Sequence, residues 1–308
     1  MSIGVIIPVY NNEKFIEQCI ESVLNQSYND INIYVVDDGS KDNSKNIIKN
    51  LEEKNKNIKY IYQENSGVSA ARNNGLDQSN DDYICFLDSD DFLDKDYSIK
   101  MLEKAKKENS DIVSCGTKVV SGKNISQLET AFSEKNFLYN YLIGRNKGQI
   151  ASFLIKKSLI EENKLRFELG RNWSEDTDFL VKAFSKANKI CILEEYLTNY
   201  RVFHKDSNLS SFNINQIEKD LSSSIGLLND KSIELNDLEI RAIKEYRIPS
   251  TIVFRLVTAF KKGIEKNEIE KLYEKYKEYI DQFKLRHGKR SFLLLVQIIK
   301  LKYLLRFK

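Results

Sequence analysis

The sequence has 308 residues, 41% hydrophobic and 30% charged, with 48 basic side chains against 45 acidic ones and a formal net charge of +3. That length holds one large domain or two ordinary ones with ample core. The charge balance excludes the concentrated basicity of a nucleic-acid binder. Cys19, Cys85, Cys115 and Cys191 are widely spaced in apolar runs and form no CxxC pair, which argues against a zinc site or a disulfide framework and for reduced thiols.

Taken in order, the chain alternates apolar runs with helical spacings. At the amino terminus the apolar run spans only Ile3 to Val9 and has no basic flank, so no signal peptide is expected, and no stretch has the length of a membrane span. Ile3 to Tyr10 reads as a buried strand, with Pro8 near its end where a lost ladder bond is tolerated. Asn11-Asn12 offers an N-cap to a helix carrying Phe15, Ile16, Cys19, Ile20, Val23 and Leu24. Ile31 to Val36 is a second strand, ending in Asp37-Asp38-Gly39-Ser40, and a helix with Ile47, Ile48 and Leu51 follows. Ile58 to Tyr62 is a third strand, Ser66 to Asn73 opens a helix, and Tyr83 to Leu87 is a fourth strand. Such alternation implies right-handed crossovers and a largely parallel sheet.

Beyond that the alternation loosens. Asp111 to Val120 and Gln149 to Ile155 look like strands, with a helix from about Lys156. A helix entered at Trp173-Ser174-Glu175-Asp176 should run to about Ala187, with extended segments at Lys189 to Leu193 and Leu197 to Val202. After about Ser211 the pattern is helical to the end.

Several polar clusters fall where strands end: Tyr10-Asn11, Asp37-Asp38, Gly67 to Asn73, and Asp88-Ser89-Asp90-Asp91. In a parallel sheet those ends share one edge, so distant segments converge there. Three carboxylates packed this closely repel one another, and burial sharpens the repulsion unless a cation is present. Oxygen-only donors suit Mg²⁺ or Mn²⁺. Asp88 and Asp90 are suited to hold such a metal on a diphosphate. Asp38 is suited to accept hydrogen bonds from a base or ribose, and Arg72 to neutralise phosphate or help fix the base. Each cluster alone also fits ordinary turn and cap chemistry; the set on successive connections is what favours one ligand. Neither GxxxxGK[ST], a GxGxxG after a strand, nor a GxSxG elbow occurs, which disfavours P-loop enzymes, dinucleotide oxidoreductases and α/β-hydrolases.

Ile6-Ile7-Pro8-Val9-Tyr10-Asn11, Val36-Asp37-Asp38-Gly39-Ser40-Lys41-Asp42, Asn65-Ser66-Gly67-Val68-Ser69-Ala70-Ala71-Arg72-Asn73 and Phe86-Leu87-Asp88-Ser89-Asp90-Asp91 together resemble the family 2 glycosyltransferases, in order and in spacing. The resemblance implies an α/β GT-A fold: a Rossmann-like, mostly parallel sheet flanked by helices. It would occupy residues 1–210, with nucleotide-sugar binding in 1–110, the acceptor side in 111–210, and a helical carboxyl-terminal region over 211–308. It implies an inverting, metal-dependent transfer from a nucleotide sugar, with UDP the carrier by analogy, to a hydroxyl of a glycan or lipid-linked acceptor in cell-surface polysaccharide synthesis. Pro8, Val9, Tyr10, Asn11, Asp38, Gly67, Arg72, Asp88 and Ser89 would contact the donor, and Asp90 and Asp88 would carry Mn²⁺ or Mg²⁺. Tyr200-Arg201, followed by His204 and Ser207, is similar to the segment that closes over the diphosphate, with His204 a metal or phosphate ligand. Glu175-Asp176 resembles the acidic motif that supplies the catalytic base. Asp176 is the expected base, ionised at a helix start, with Glu175 and Trp173 on the acceptor side. Two other readings are a non-catalytic nucleotide-sugar-binding scaffold and a sugar-phosphate nucleotidyltransferase. The intact acids weigh against the first, and a missing Gly-rich amino-terminal phosphate loop weighs against the second.

After Asp281 no acidic residue occurs, while Lys284, Arg286, Lys289, Arg290, Lys300, Lys302, Arg306 and Lys308 flank an apolar run from Phe292 to Ile299. Peripheral contact with the inner face of the plasma membrane and packing on the protein or on another subunit both fit this tail. A cytoplasmic enzyme is the expectation, and an oligomer is compatible with it.

Overall fold

The computed structural model describes residues 1–171, 173–202 and 213–307. The chain forms two compact units, Met1–Lys135 with Lys147–Asp206, and Asn136–Asn146 with Ser207–Lys308.

In the first unit β1 (Ile3–Val9), α1 (Ile16–Leu24), β2 (Ile31–Asp37), α2 (Ser44–Lys54), β3 (Ile58–Tyr62), α3 (Val68–Gln78) and β4 (Tyr83–Phe86) alternate as the periodicity predicts. β5 (Phe92–Leu93), α4 (Tyr97–Glu108), β6 (Ile112–Ser121) and β7 (Asn124–Gln127) follow. After α5 (Phe137–Leu142), which groups with the second unit, come a 3₁₀ turn at Ile150–Ser152, β8 (Phe153–Lys156), α6 (Lys157–Glu162), α7 (Glu175–Lys186) and β9 (Ile190–Arg201).

The strands form one sheet in the order β3-β2-β1-β4-β8-β6-β9-β5, with β7 on β6. β3, β2, β1 and β4 are mutually parallel, β8 runs antiparallel to β4 and β6, β9 is parallel to β6, and β5 is antiparallel to β9. The sheet is therefore parallel in its first half and mixed beyond.

Strand side chains alternate between faces. Ile3, Val5, Ile7 and Val9 of β1 join Ile33, Val35 and Cys85 in a core with Ile16, Cys19, Ile20 and Val23 of α1, Ile48 of α2 and Met101 and Leu102 of α4. Each such side chain, once buried, contributes about 1.5–3 kcal/mol. On the opposite face α3 presses closely on β1. A Cβ on Gly75 would stand 2.4 Å from Ile6 Cγ2, so only glycine permits this approach. Phe86 meets Phe167 and Phe179 edge-on at 5.0 and 5.4 Å, and those two rings stack on each other at 4.1 Å.

One correction concerns β9. The sequence suggests two extended segments, yet Ile190–Arg201 is a single strand. Its register against β6 shifts around Gly116, where a Cβ would lie 2.6 Å from the Tyr196 ring. That irregularity absorbs the polar Glu194-Glu195 interruption without breaking the strand.

The second unit is helical throughout its described residues: α8 (Gln216–Asn229), α9 (Asp237–Ala242), a π-turn at Ile243–Arg247, α10 (Ile248–Lys261), α11 (Lys266–Asp281) and α12 (Gly288–Phe307). Asn236 and Glu239 close a capping box at the start of α9. α10 is the hub, touching α8, α11 and α12. Among the described residues no helix is long and apolar enough to cross a membrane.

Candidate active site

The acidic stretch follows β4 directly. Asp88 Oδ1 accepts a hydrogen bond from Arg72 Nη2 at 2.7 Å. Asp91 is buried, and its Oδ1 accepts the Arg201 backbone N–H at 2.8 Å. Burial, then the charges of Asp88 and Asp90, push the Asp91 carboxyl up to about 9. Burial, then Asp88, raise Asp90 to about 6. Like charges are thus crowded where water is scarce, the situation a bound cation relieves. Among the described residues no three acidic, histidine or cysteine groups converge on one point. The donor set is a few carboxylates, which fits Mn²⁺ or Mg²⁺ completed by phosphate oxygens rather than by a protein cage. His204 and Ser207 lie outside the described residues.

Neighbouring loops are tied to this stretch. Asn12 Nδ2 donates to Ser89 Oγ at 2.8 Å. Asn11 adopts φ +48°; its Oδ1 accepts the Lys41 N–H at 2.7 Å and its own N–H donates to Ser40 Oγ. Tyr10 is exposed at the rim. Pro8 and Val9 lie inside β1 with buried side chains, and the Val9 carbonyl accepts the Asp38 N–H at 2.9 Å.

Asp38 is buried and already well supplied with donors. Its Oδ1 accepts from Gln63 Nε2 at 2.8 Å and from the Ser66 N–H at 2.7 Å, and its Oδ2 accepts the Gly67 N–H at 2.9 Å. The carboxylate therefore holds the loop that enters α3, where Gly67 takes φ +88°, a conformation that favours glycine.

Arg72, one turn into α3, is buried. Besides Asp88 it reaches Glu175 Oε1 at 3.1 Å through Nη1, and its guanidinium lies over the Phe167 ring at 5.2 Å. Asn73 anchors the same turn: its Nδ2 donates to the Phe167 carbonyl and its Oδ1 accepts the Phe167 N–H. Asp88, Arg72 and Glu175 thus form one chain joining the end of β4 to the start of α7.

Asp176, half-buried in the first turn of α7, accepts the Thr177 N–H through Oδ1 at 2.6 Å. Its carboxyl is raised, first by burial and then by the Glu175 charge, while Arg72 pulls the other way. Desolvation and a like-charged neighbour act on this carboxyl against the helix terminus, which favours the ionised form expected from the sequence. Trp173 is half-buried beside this turn in sequence.

Residue-by-residue reading underrates three groups. Asn12 reads as a mere cap, yet it holds Ser89. Asp91 reads as the tail of an acidic run, yet it is the most enclosed of the three acids. Arg201 sits over Phe15 at 4.6 Å and Phe92 at 5.2 Å, and its Nη2 donates to Gln18 Oε1. A cavity of about 460 Å³ opens at the other edge of the sheet, lined by Met1, Asp81, Tyr83, Lys106, Lys157 and others, and contains none of the expected site residues.

Residues 4–160 match the family model described as "Glycosyl transferase family 2". The chain is 30% identical over 217 residues to the uncharacterized glycosyltransferase EpsJ of Bacillus subtilis (strain 168), a match spanning 65% of this chain and 60% of EpsJ. It is 27% identical to the GalNAc(5)-diNAcBac-PP-undecaprenol beta-1,3-glucosyltransferase of Campylobacter jejuni over 84% of this chain and 82% of that protein. The crystal structure of S. aureus TarS 1-349 in complex with UDP-GlcNAc superposes with a TM-score of 0.72 at 21% identity, covering 97% of this chain and 88% of that one. The fold is GT-A, with a mixed, curled sheet flanked by helices and a helical carboxyl-terminal region.

Proposed function

The chain belongs to glycosyl transferase family 2, and on that premise we propose that it moves a sugar from a UDP-linked donor to a hydroxyl of a glycan or lipid-linked acceptor, with inversion at the anomeric carbon, in the synthesis of a bacterial cell-surface polysaccharide. The observation that carries the reading is the chain Asp88–Arg72–Glu175, which draws the acidic end of β4 and the acidic start of α7 together. The UDP-GlcNAc bound by TarS and the undecaprenol-linked glycan named for the Campylobacter relative support the donor and acceptor classes.

In this reading the rim formed by Tyr10, Asn11, Ser89 and the Asp38 loop receives the nucleotide. Asp38 acts mainly through the loop it organises, fixing the N–H groups at the start of α3. Asp88 and Asp90 hold the divalent cation, which when bound neutralises the charge that develops on the leaving diphosphate. Arg72 orients Asp88 through the Nη2–Oδ1 hydrogen bond and offsets its charge. Asp176 accepts the proton of the acceptor hydroxyl as that oxygen attacks the anomeric carbon from the face opposite the diphosphate. Its raised pKa makes it a stronger base than an ordinary carboxylate once ionised. Attack from one face needs no covalent enzyme intermediate.

The test is thermal shift with a panel of nucleotide sugars and Mn²⁺, followed by UDP release with the donor that stabilises. A matching donor raises Tm, Asp90→Ala removes the Mn²⁺-dependent part of the shift, and Asp176→Asn keeps the shift while losing transfer. Full transfer by both variants would sink the assignment, and donor binding with no transfer to any acceptor would favour the scaffold reading.

A further inference from the structure

α12 carries two apolar stripes. Leu294, Ile298, Leu301 and Leu304 are buried, and α12 packs on α10. Phe292, Val296, Ile299 and Tyr303 are 59%, 44%, 59% and 59% exposed. Their spacing of four, three and four residues puts them on a second line along the helix. A contiguous row of large apolar side chains left in water marks an interaction surface.

The flanks indicate what covers it. With about 100° of rotation per residue, Lys289 and Lys300 fall on one side of the exposed stripe and Lys302 and Arg306 on the other. All four are exposed, and no acidic residue follows Asp281 in the sequence. A second copy of the same face would set basic flank against basic flank. A sheet of anionic headgroups complements both flanks at once. Its acyl boundary takes the aromatic and aliphatic stripe, while the long Lys and Arg stems reach outward to phosphate. Because α12 is not long and apolar enough to cross a membrane, it would lie in the plane of the surface.

We infer that the exposed face of α12 docks this protein on an anionic lipid bilayer. The residues involved are distinct from those assigned to sugar transfer, so the two readings stand or fall separately.

The experiment is flotation of the full chain with mixed phosphatidylglycerol–phosphatidylcholine vesicles, against pure phosphatidylcholine vesicles. The protein floats with the anionic vesicles and does so less at high salt. The combined Lys289→Gln, Lys300→Gln and Lys302→Gln variant binds roughly a hundredfold more weakly, about fivefold per lysine. Phe292→Ser with Ile299→Ser also abolishes flotation. These side chains are exposed, so the melting temperature and UDP release measured without vesicles stay at the parent values. Equal binding to neutral and anionic vesicles, or no binding to either, overturns the inference. So does a lipid-free dimer in light scattering that Phe292→Ser with Ile299→Ser dissociates.

Discussion

Arg72 and Asp88 meet at 2.7 Å, the guanidinium 3% exposed and the carboxylate 35% exposed. The same guanidinium reaches Glu175, which is 103 positions away along the chain. A single buried cation therefore offsets two carboxylates that would otherwise repel each other across the rim of the sheet.

Removing that cation should expose the repulsion. Arg72→Met leaves Asp88 and Glu175 uncompensated and is expected to cost about 2–3 kcal/mol, below the range for a fully buried pair because Asp88 is partly solvated. Arg72→Lys keeps the charge without the fork that spans both acids, so it should fall between parent and Met. Urea unfolding reads both values. An Arg72→Met protein as stable as the parent would show that the bridge contributes nothing.

Asp176→Asn should lower kcat by a factor on the order of 10²–10⁴ and leave donor KM nearly unchanged. Since the Asp176 carboxyl is raised by burial and by Glu175, activity should fall as pH drops through a pKa above the ordinary carboxylate range. Glu175→Gln removes a like charge and leaves Arg72 freer to act on Asp176, so the acid limb should move to lower pH. A limb that stays in place in Glu175→Gln would mean that another group titrates.

Gly75→Ala sets helix preference against packing. Alanine favours a helix by up to about 1 kcal/mol over glycine, but its Cβ would meet Ile6 Cγ2 at 2.4 Å. Pushing α3 off β1 should cost about 1–3 kcal/mol and shift Arg72, one turn earlier, from its partners. Thermal melts should show Gly75→Ala below the parent, and the further change Ile6→Ala, which removes a buried side chain, should cost the Gly75→Ala protein less than it costs the parent.

In the helical unit, buried His287 accepts or donates at Nδ1 with Tyr139 Oη, 3.1 Å away, and its Nε2 lies 3.6 Å from Glu245 Oε2. Burial lowers its pKa, and Arg286 and Arg241 add to this, while Glu245 opposes it. Below the unfolded value of 6.5 the unfolded chain takes up a proton that the folded chain resists. Stability from this group is therefore present at neutral pH and lost as pH falls through 6.5 towards the folded value. Denaturant midpoints at neutral and mildly acidic pH should differ more for the parent than for His287→Gln. Equal differences would assign the acid sensitivity to carboxylates.

What the sequence reveals and what it hides follow from the range of the interactions. The alternating units from β1 to β4 are readable because period and caps are local properties, and the acids at the strand ends are readable because they interrupt apolar runs. β5 has too few residues to show a period, and β7 is exposed along its whole length, so neither leaves a hydrophobic trace. β9 looks divided because Glu194-Glu195 breaks the pattern while the hydrogen-bonded ladder continues. Within the site, residue types are legible but partners are not. Arg72 as a bridge, Asp38 as a loop clamp and Asn12 as the support of Ser89 depend on contacts between segments distant in the chain, which a linear pattern does not encode.

The path of β9 has a consequence for how the molecule is made. Four parallel strands are available once residue 86 has left the ribosome, but β9 lies between β6 and β5 and pairs Phe92 with Asn199. Until about residue 201 emerges, the partner edges of β6 and β5 stay unpaired and Asp91 lacks the backbone donor of Arg201. A nascent chain stalled before that point holds a nearly complete half-sheet with open edges, the species on which holding chaperones act.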